Sequence, residues 1–251
     1  MRTDAHMHIL PDKDKELYDQ YIHAHQIEAL IGIYDEISDV YEINSFDCAI
    51  YMFYWIHQPN ILPDHLPDGL KFESWIDEIL IDEKVIYSAL NFASKNEIPI
   101  LIHCNQLRPD LSRPSRVEKL SKKYDDLNFI IAHSGSYGPP LRDDLAGLKL
   151  MKTLVNEAIE VCERFDNIFL ESSIIASPRK RKLIIENLDR IKDRLLIGTD
   201  FPLTLNELLE DRFLLKQDYA PTITSEESFL LNEGLTRKEL EEIYKNIYKL
   251  F

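Results

Sequence analysis

Eight short apolar, β-favouring runs alternate with longer amphipathic segments, and this alternation restricts the fold more than any other feature of the chain. The runs are RTDAHMH (2–8), IEALIGI (27–33), DCAIYMFYW (47–55), GLKFE (69–73), IPILIHC (98–104), LNFIIAH (127–133), NIFLESS (167–173) and RLLIGTD (194–200). Strand and helix patterns in alternation indicate parallel strands joined by helices. Several runs are continuously apolar, as strands covered on both faces are. The 251 residues match the usual size of one (β/α)8 barrel, so the sequence predicts a single α/β domain over 1–251.

The clearest helices are DEKVIYSALNFASKNE (82–97), RVEKLSKKYDD (116–126), LMKTLVNEAIEVCERF (150–165) and RKRKLIIENLDRI (179–191). Between strands 2 and 3, YDEISDVYEINSF (34–46) leaves room for only a short helix. After strand 8, LTLNELLEDRFLL (203–215) reads as the last barrel helix. TRKELEEIYKNIYKLF (236–251) forms a C-terminal helical extension, with Thr236 as N-cap and Glu239 completing a capping box. No internal repeat or Pro/Gly-rich linker marks a domain boundary.

Composition narrows the function. Apolar residues at 45% and charged residues at 29% exclude disorder as the main state. No apolar run approaches the roughly 18 to 20 residues that span a bilayer, and no basic segment followed by an apolar core opens the chain. The expectation is a cytoplasmic protein with no membrane partner. Cys48, Cys104 and Cys162 are far apart and never in a CxxC pair, so they read as reduced thiols. A formal charge of −15 argues against a nucleic-acid partner, whose phosphates are bound through Lys and Arg. The basic run SPRKRK (177–182) reads as a solvated helix face. There is no GxSxG, P-loop or GxGxxG, so neither serine catalysis nor a nucleotide cofactor is implied.

The chemistry collects at strand ends. Side chains two apart on a strand share a face, so His6 and His8 can address one metal ion if residues 2–8 are extended. A second pair, His23 and His25, falls at the end of a helix and reads as structural. His103, His133 and Asp200 each lie at the C-terminal end of a candidate strand, the edge where such barrels place their active sites. Buried imidazoles and carboxylates are expensive without a partner, and a shared metal would satisfy them together.

The segments DAHMHI, GLKFE, IPILIHC, FIIAHSG, NIFLESS and LLIGTDFP occur in an order that resembles the amidohydrolase superfamily of metal-dependent TIM barrels. The similarity is greatest to its branch containing aminocarboxymuconate-semialdehyde decarboxylase. That resemblance implies one divalent metal, zinc before manganese or iron, held by His6, His8, His103 and Asp200. It implies that Asp200 accepts a proton from water that the metal acidifies to a pKa of about 7. His133 would then orient the water or polarise the substrate, or ligate a second metal. Lys71 and Glu73, two apart on strand 4, would bridge a second metal or form an ion pair at the barrel mouth.

Location alone suggests substrate contacts for Trp55 and His57 after strand 3, Arg108 and Arg113 after strand 5, Tyr137 after strand 6, and Glu171 near the end of strand 7. An arginine there would hold a substrate carboxylate in bidentate fashion. The function expected is hydrolysis of a small, carboxylate-bearing amide, ester or lactone by metal-activated water. Nonoxidative decarboxylation, TatD-like deoxyribonuclease activity and a noncatalytic metal-binding barrel are the alternatives, and the resemblance also allows a homodimer. Short connections around strands 2 to 4 depart from the superfamily and leave little material there for a substrate pocket.

Overall fold

Eight strands lie in one parallel sheet in their sequence order. They are β1 (Thr3–His8), β2 (Ala29–Tyr34), β3 (Ala49–Trp55), β4 (Gly69–Phe72), β5 (Ile100–Ile102), β6 (Phe129–Ile131), β7 (Ile168–Glu171) and β8 (Leu195–Leu196). Each lies within one of the eight apolar runs, except that β2 extends one residue further, to Tyr34. The computed structural model describes residues 1–10, 15–35, 48–137, 145–173, 178–202 and 222–251. The helix expected at 203–215 and most of the segment 34–46 lie outside the described residues.

The sheet curls until its ends meet. Ala5 N donates to Ile197 O at 2.9 Å, His8 N to Phe201 O at 2.7 Å and Asp200 N to His6 O at 2.7 Å. These bonds join β1 to the segment after β8 and make a nearly closed barrel. Ala5, Ile31, Ile33, Phe53, Leu101, Ile130, Phe169 and Leu196 fill its interior, with Ile247 and Leu250 packed against them. The alternate residues, among them Leu30, Leu70, Ile100, Phe129, Leu170 and Leu195, face the helices in a second apolar layer. Each Leu or Ile so buried contributes about 1.5 to 3 kcal/mol by leaving water.

The principal helices described are α1 (Lys15–His25), α2 (Tyr87–Asn96), α3 (Pro114–Lys123), α4 (Leu145–Arg164), α5 (Pro178–Glu186), α6 (Ile223–Asn232) and α7 (Arg237–Tyr244). At the start of α7, Thr236 Oγ1 accepts from Glu239 N and Glu239 Oε2 accepts from Thr236 N, at 3.2 and 2.9 Å, the capping box expected from the sequence. The sequence reading lacks α6, which opens with a second box between Thr222 and Ser225. Serine at its third position is a weaker signal than Glu or Gln. Among the described residues, no helix is long and apolar enough to cross a membrane.

One irregularity in β1 matters for the site. Thr3 and Asp4 pair with Ala29 and Leu30, but Met7 and His8 pair with Gly32 and Ile33, so β1 holds one residue more than β2 across the same span. Such a bulge breaks the two-residue alternation and re-aims side chains. Asp4 consequently turns outward to Tyr21 Oη on α1, at 2.9 Å, and Thr199 Oγ1, at 2.7 Å. His6 and His8 both face the mouth.

Candidate metal centre

His6 and His8 converge on a residue nearly two hundred positions downstream. His6 Nε2 and His8 Nε2 each lie 3.2 Å from Asp200 Oδ1. All three side chains are buried, and their ligand atoms fall within 4.8 Å of one another. Asp200 reaches this point because its backbone is left-handed, with φ 68°. His133 and Ser134 are left-handed as well, at φ 54° and 49°. Left-handed backbone is uncommon outside glycine and clusters where a site holds the chain in place. His103, His133 and Asp200 thus stand one to four positions beyond the paired strands, on the turns that leave the barrel, while His6 and His8 lie within β1.

The protonation of His6 can be read from its partners. Its Nδ1 lies 3.0 Å from Glu171 Oε2, to which it donates. Burial, with the Lys71 ammonium nearby, holds its pKa well below the usual histidine value, so the ring is neutral. Nε2 therefore carries a lone pair, and it faces a carboxylate oxygen at 3.2 Å. Two acceptors that close repel unless a cation lies between or beside them. Lys71 Nζ already approaches the same Nε2, at 3.2 Å. Neutral imidazole nitrogens with a carboxylate, drawn together in a buried site, are the donor set a divalent transition metal takes.

Lys71 and Glu73 form an ion pair, with Nζ 3.2 Å from Oε2. Lys71 is wholly enclosed. Burial pushes the Glu73 carboxyl up, but His103 and Lys71 outweigh it and bring it down to about 2. His103 stands next to the His6, His8 and Asp200 group rather than inside it. Its Nδ1 lies 2.7 Å from Glu73 Oε1 and 3.0 Å from His133 Nε2, and its Nε2 accepts from Asn105 Nδ2 at 3.3 Å.

Of the residues expected to contact substrate, two turn toward the cluster. The Tyr137 ring lies 5.0 Å from the His103 ring and 4.7 Å from that of His133, and its hydroxyl is buried without a hydrogen-bond partner among the described residues. Trp55 sets its edge against His8 at 5.9 Å while its Nε1 donates to Asp77 at 2.8 Å. His57, half-exposed, stacks on Trp55 and bonds Asp77. Arg108 and Arg113 face carboxylates of the chain itself. Both are exposed, and they pair at the surface with Asp110 and Glu157. Glu171 is also placed differently, being wholly buried behind His6 with both oxygens engaged. Cys104 is buried, its thiol pushed up by burial and donating to Ser112 O.

The basic run at the start of α5 contains the residue that sequence reasoning misplaced. Arg179 and Lys182 are exposed, but Lys180 is wholly enclosed and its Nζ donates to Ser136 O at 3.1 Å and Ser173 O at 3.3 Å. A charge run gives no sign of which member turns inward. Burial lowers the Lys180 pKa against the opposing pull of Glu171, Glu226 and Asp200. Between that lowered value and the 10.5 of a free lysine, the unfolded chain holds a proton that the folded one has released. Stability from this group therefore rises with pH across that window. Lys180→Met removes this rise, seen as a flatter plot of urea midpoint against pH than for the parent protein. Parallel plots for the two proteins would refute it.

Known proteins share this architecture. The amidohydrolase family model matches residues 57–251, a span that takes in β4 to β8 and stops short of His6 and His8. An amidohydrolase from Burkholderia multivorans with bound zinc superposes with a TM-score of 0.64 at 14% identity, covering 97% of this chain and 96% of its own. A TIM-barrel protein from Bordetella bronchiseptica gives 0.65 at 15% identity, with 94% and 82% covered. A β-aspartyl dipeptidase from Fervidobacterium islandicum in complex with β-Asp-Leu dipeptide gives 0.58 at 11%, with 100% and 72% covered. At these identities the structural likeness shows the fold alone. No curated protein matches the sequence.

Proposed function

Since the chain belongs to the amidohydrolase family of metal-dependent hydrolases, we propose that it cleaves an amide, ester or lactone bond in a small, carboxylate-bearing molecule. The observation that carries this reading is the meeting of His6 Nε2 and His8 Nε2 at one oxygen of Asp200. These three residues would hold one divalent metal, zinc on the chemistry of the donors. His103 is the fourth ligand of the proposal, its Nδ1 anchored by Glu73 and its Nε2 lone pair open to exchange Asn105 for the metal. The metal supplies acidification of water and polarisation of the bond to be cleaved.

The remaining work falls to the chain. Asp200 accepts the proton that water loses, because its carboxylate is at the seat, 3.2 Å from both histidine nitrogens. His133 stands beside His103 and orients the attacking water. Tyr137 offers its unpartnered hydroxyl to an oxygen of the substrate, satisfying a buried donor that is otherwise costly. The β-aspartyl dipeptide bound by the Fervidobacterium enzyme belongs to the substrate class proposed. With Arg108 and Arg113 paired at the surface, the support this chain itself gives for the class is the donor at Tyr137.

Metal analysis by plasma mass spectrometry of protein purified without chelators tests the proposal. About one ion per chain is expected, and His133→Ala should leave that number in place. Two ions per chain, reduced to one in His133→Ala, would make His133 a ligand with Lys71 or Glu73 bridging. No metal after reconstitution would overturn the hydrolase reading for this chain.

A further inference from the structure

We infer that Glu171 is a positioning residue that, with Ser173, fixes the tautomers of His6 and His133 and so commits His133 Nε2 to accepting a hydrogen bond. The relevance to catalysis rests on the metal reading above, but the tautomers themselves do not depend on it.

The inference follows from counting protons. Glu171 Oε2 accepts from His6 Nδ1 at 3.0 Å, from the His133 backbone N at 3.0 Å and from Ser173 Oγ at 2.8 Å. Oε1 accepts from the Ser173 backbone N. A carboxylate has about two lone-pair sites per oxygen, and here Oε2 is fully taken by three donors while Oε1 holds one. Two of the four donors are main-chain amides that the fold holds in place and that would be left orphaned if Glu171 turned away. His6 Nδ1, a His133 nitrogen and a Glu171 oxygen do fall within 4.8 Å of one another, the spacing of a second metal seat. Oε2, the oxygen that faces His6 Nδ1, already takes three N–H and O–H donors and has no lone pair left for one.

Ser173 has one hydroxyl proton, and it goes to Glu171. Its contact with His133 Nδ1, at 2.7 Å, can then only be accepted by Ser173 Oγ, so His133 carries its proton on Nδ1. His133 Nε2 is left with a lone pair, which faces His103 Nδ1 at 3.0 Å; the one proton on that Nδ1 is shared with Glu73 Oε1, nearer at 2.7 Å. That places the His103 lone pair on Nε2, where Asn105 Nδ2 donates to it. His6 follows the same rule directly: Nδ1–H to Glu171, lone pair on Nε2, which accepts from Lys71. One buried carboxylate thus turns a lone pair of His6 toward Asp200, and through a single hydroxyl it settles two more rings. Of the roles open to His133, polarising a substrate oxygen requires a proton on Nε2. Orienting water by accepting from it requires the lone pair found there.

The test is long-range 1H–15N correlation of the imidazole rings in metal-free protein labelled with 15N-histidine, which reports the tautomer of each ring. Wild type should show His6 and His133 protonated on Nδ1. Glu171→Gln presents an NH2 to the Ser173 amide or to His6 and should disturb both rings. Ser173→Ala, a milder change, should release His133 alone and leave His6 as it was. The exposed His23 ring serves as the control for an intact fold. Zinc affinity by competition titration should fall about 10- to 100-fold in Glu171→Gln, the range for loss of a ligand-orienting partner.

Unchanged tautomers in Glu171→Gln would overturn the inference, as would a His133 ring indifferent to Ser173→Ala. A drop from two bound ions to one in Glu171→Gln would make Glu171 a ligand and overturn it too. If wild type binds no zinc, the hydrolase proposal falls, while the ring tautomers still decide this one.

Discussion

Asp200→Asn is expected to leave the barrel folded, to empty the metal seat and to lower hydrolysis by about 10²- to 10⁴-fold, the range for loss of a catalytic proton acceptor. The substitution is chosen for the backbone. Asp200 is left-handed at φ 68°, and asparagine is among the few residues that adopt this conformation readily. The change therefore isolates the charge that lies 3.2 Å from both His6 Nε2 and His8 Nε2. Metal content by mass spectrometry and turnover on a panel of small amides, esters and lactones give the two readouts, with the thermal transition as the check on folding. A variant with parental metal content and parental turnover would remove Asp200 from the site.

Gly198→Ala is expected to destabilise the fold by about 1 to 3 kcal/mol, the range for overpacking a filled interior. A Cβ at this position would sit 2.6 Å from Glu171 Oε1, 2.8 Å from His6 Cβ and 2.9 Å from His6 N. Two of those neighbours belong to β1 and the third is the Glu171 carboxylate, held by His6, Ser173 and the His133 amide, so none is free to swing aside. The glycine is required for room at this crossing. The urea midpoint should fall, and zinc affinity with it, because the methyl group pushes on His6 and on the carboxylate behind it. An unchanged midpoint would mean that the segment after β8 can withdraw from β1 without penalty.

The barrel was legible in the sequence because each strand carries its own signature. Eight runs of mostly apolar residues at helix-length intervals leave few alternatives once both faces are covered. The meeting of His6, His8 and Asp200 was legible for a related reason: each is a polar residue at the outgoing end of such a run. What could not be read depends on contacts between distant segments. The bulge in β1 follows from how that strand pairs with β2 and with the residues after β8. Strict alternation would have turned Asp4 to the same face as the two histidines. Arg108 and Arg113 looked available because Asp110 and Glu157 are as ordinary in sequence as any surface acid. The burial of Lys180 is set by the carbonyls of Ser136 and Ser173, which no periodicity announces. Glu171, chosen for its place on β7, proved to lie behind the histidines, since a strand end does not say how many donors its carboxylate will meet.

The closure of the barrel has a consequence for when the site exists at all. β8 pairs over only two residues, Leu195 and Leu196, so the last strand meets the first largely through Ile197, Thr199, Asp200 and Phe201. His6 and Asp200 are thus at once the two sides of the seam and the two sides of the metal seat. Any fluctuation that parts the seam takes the seat apart, and whatever binds between those residues holds the cylinder shut. Ligation and closure are then a single equilibrium, in which ligand occupancy sets how often the cylinder opens.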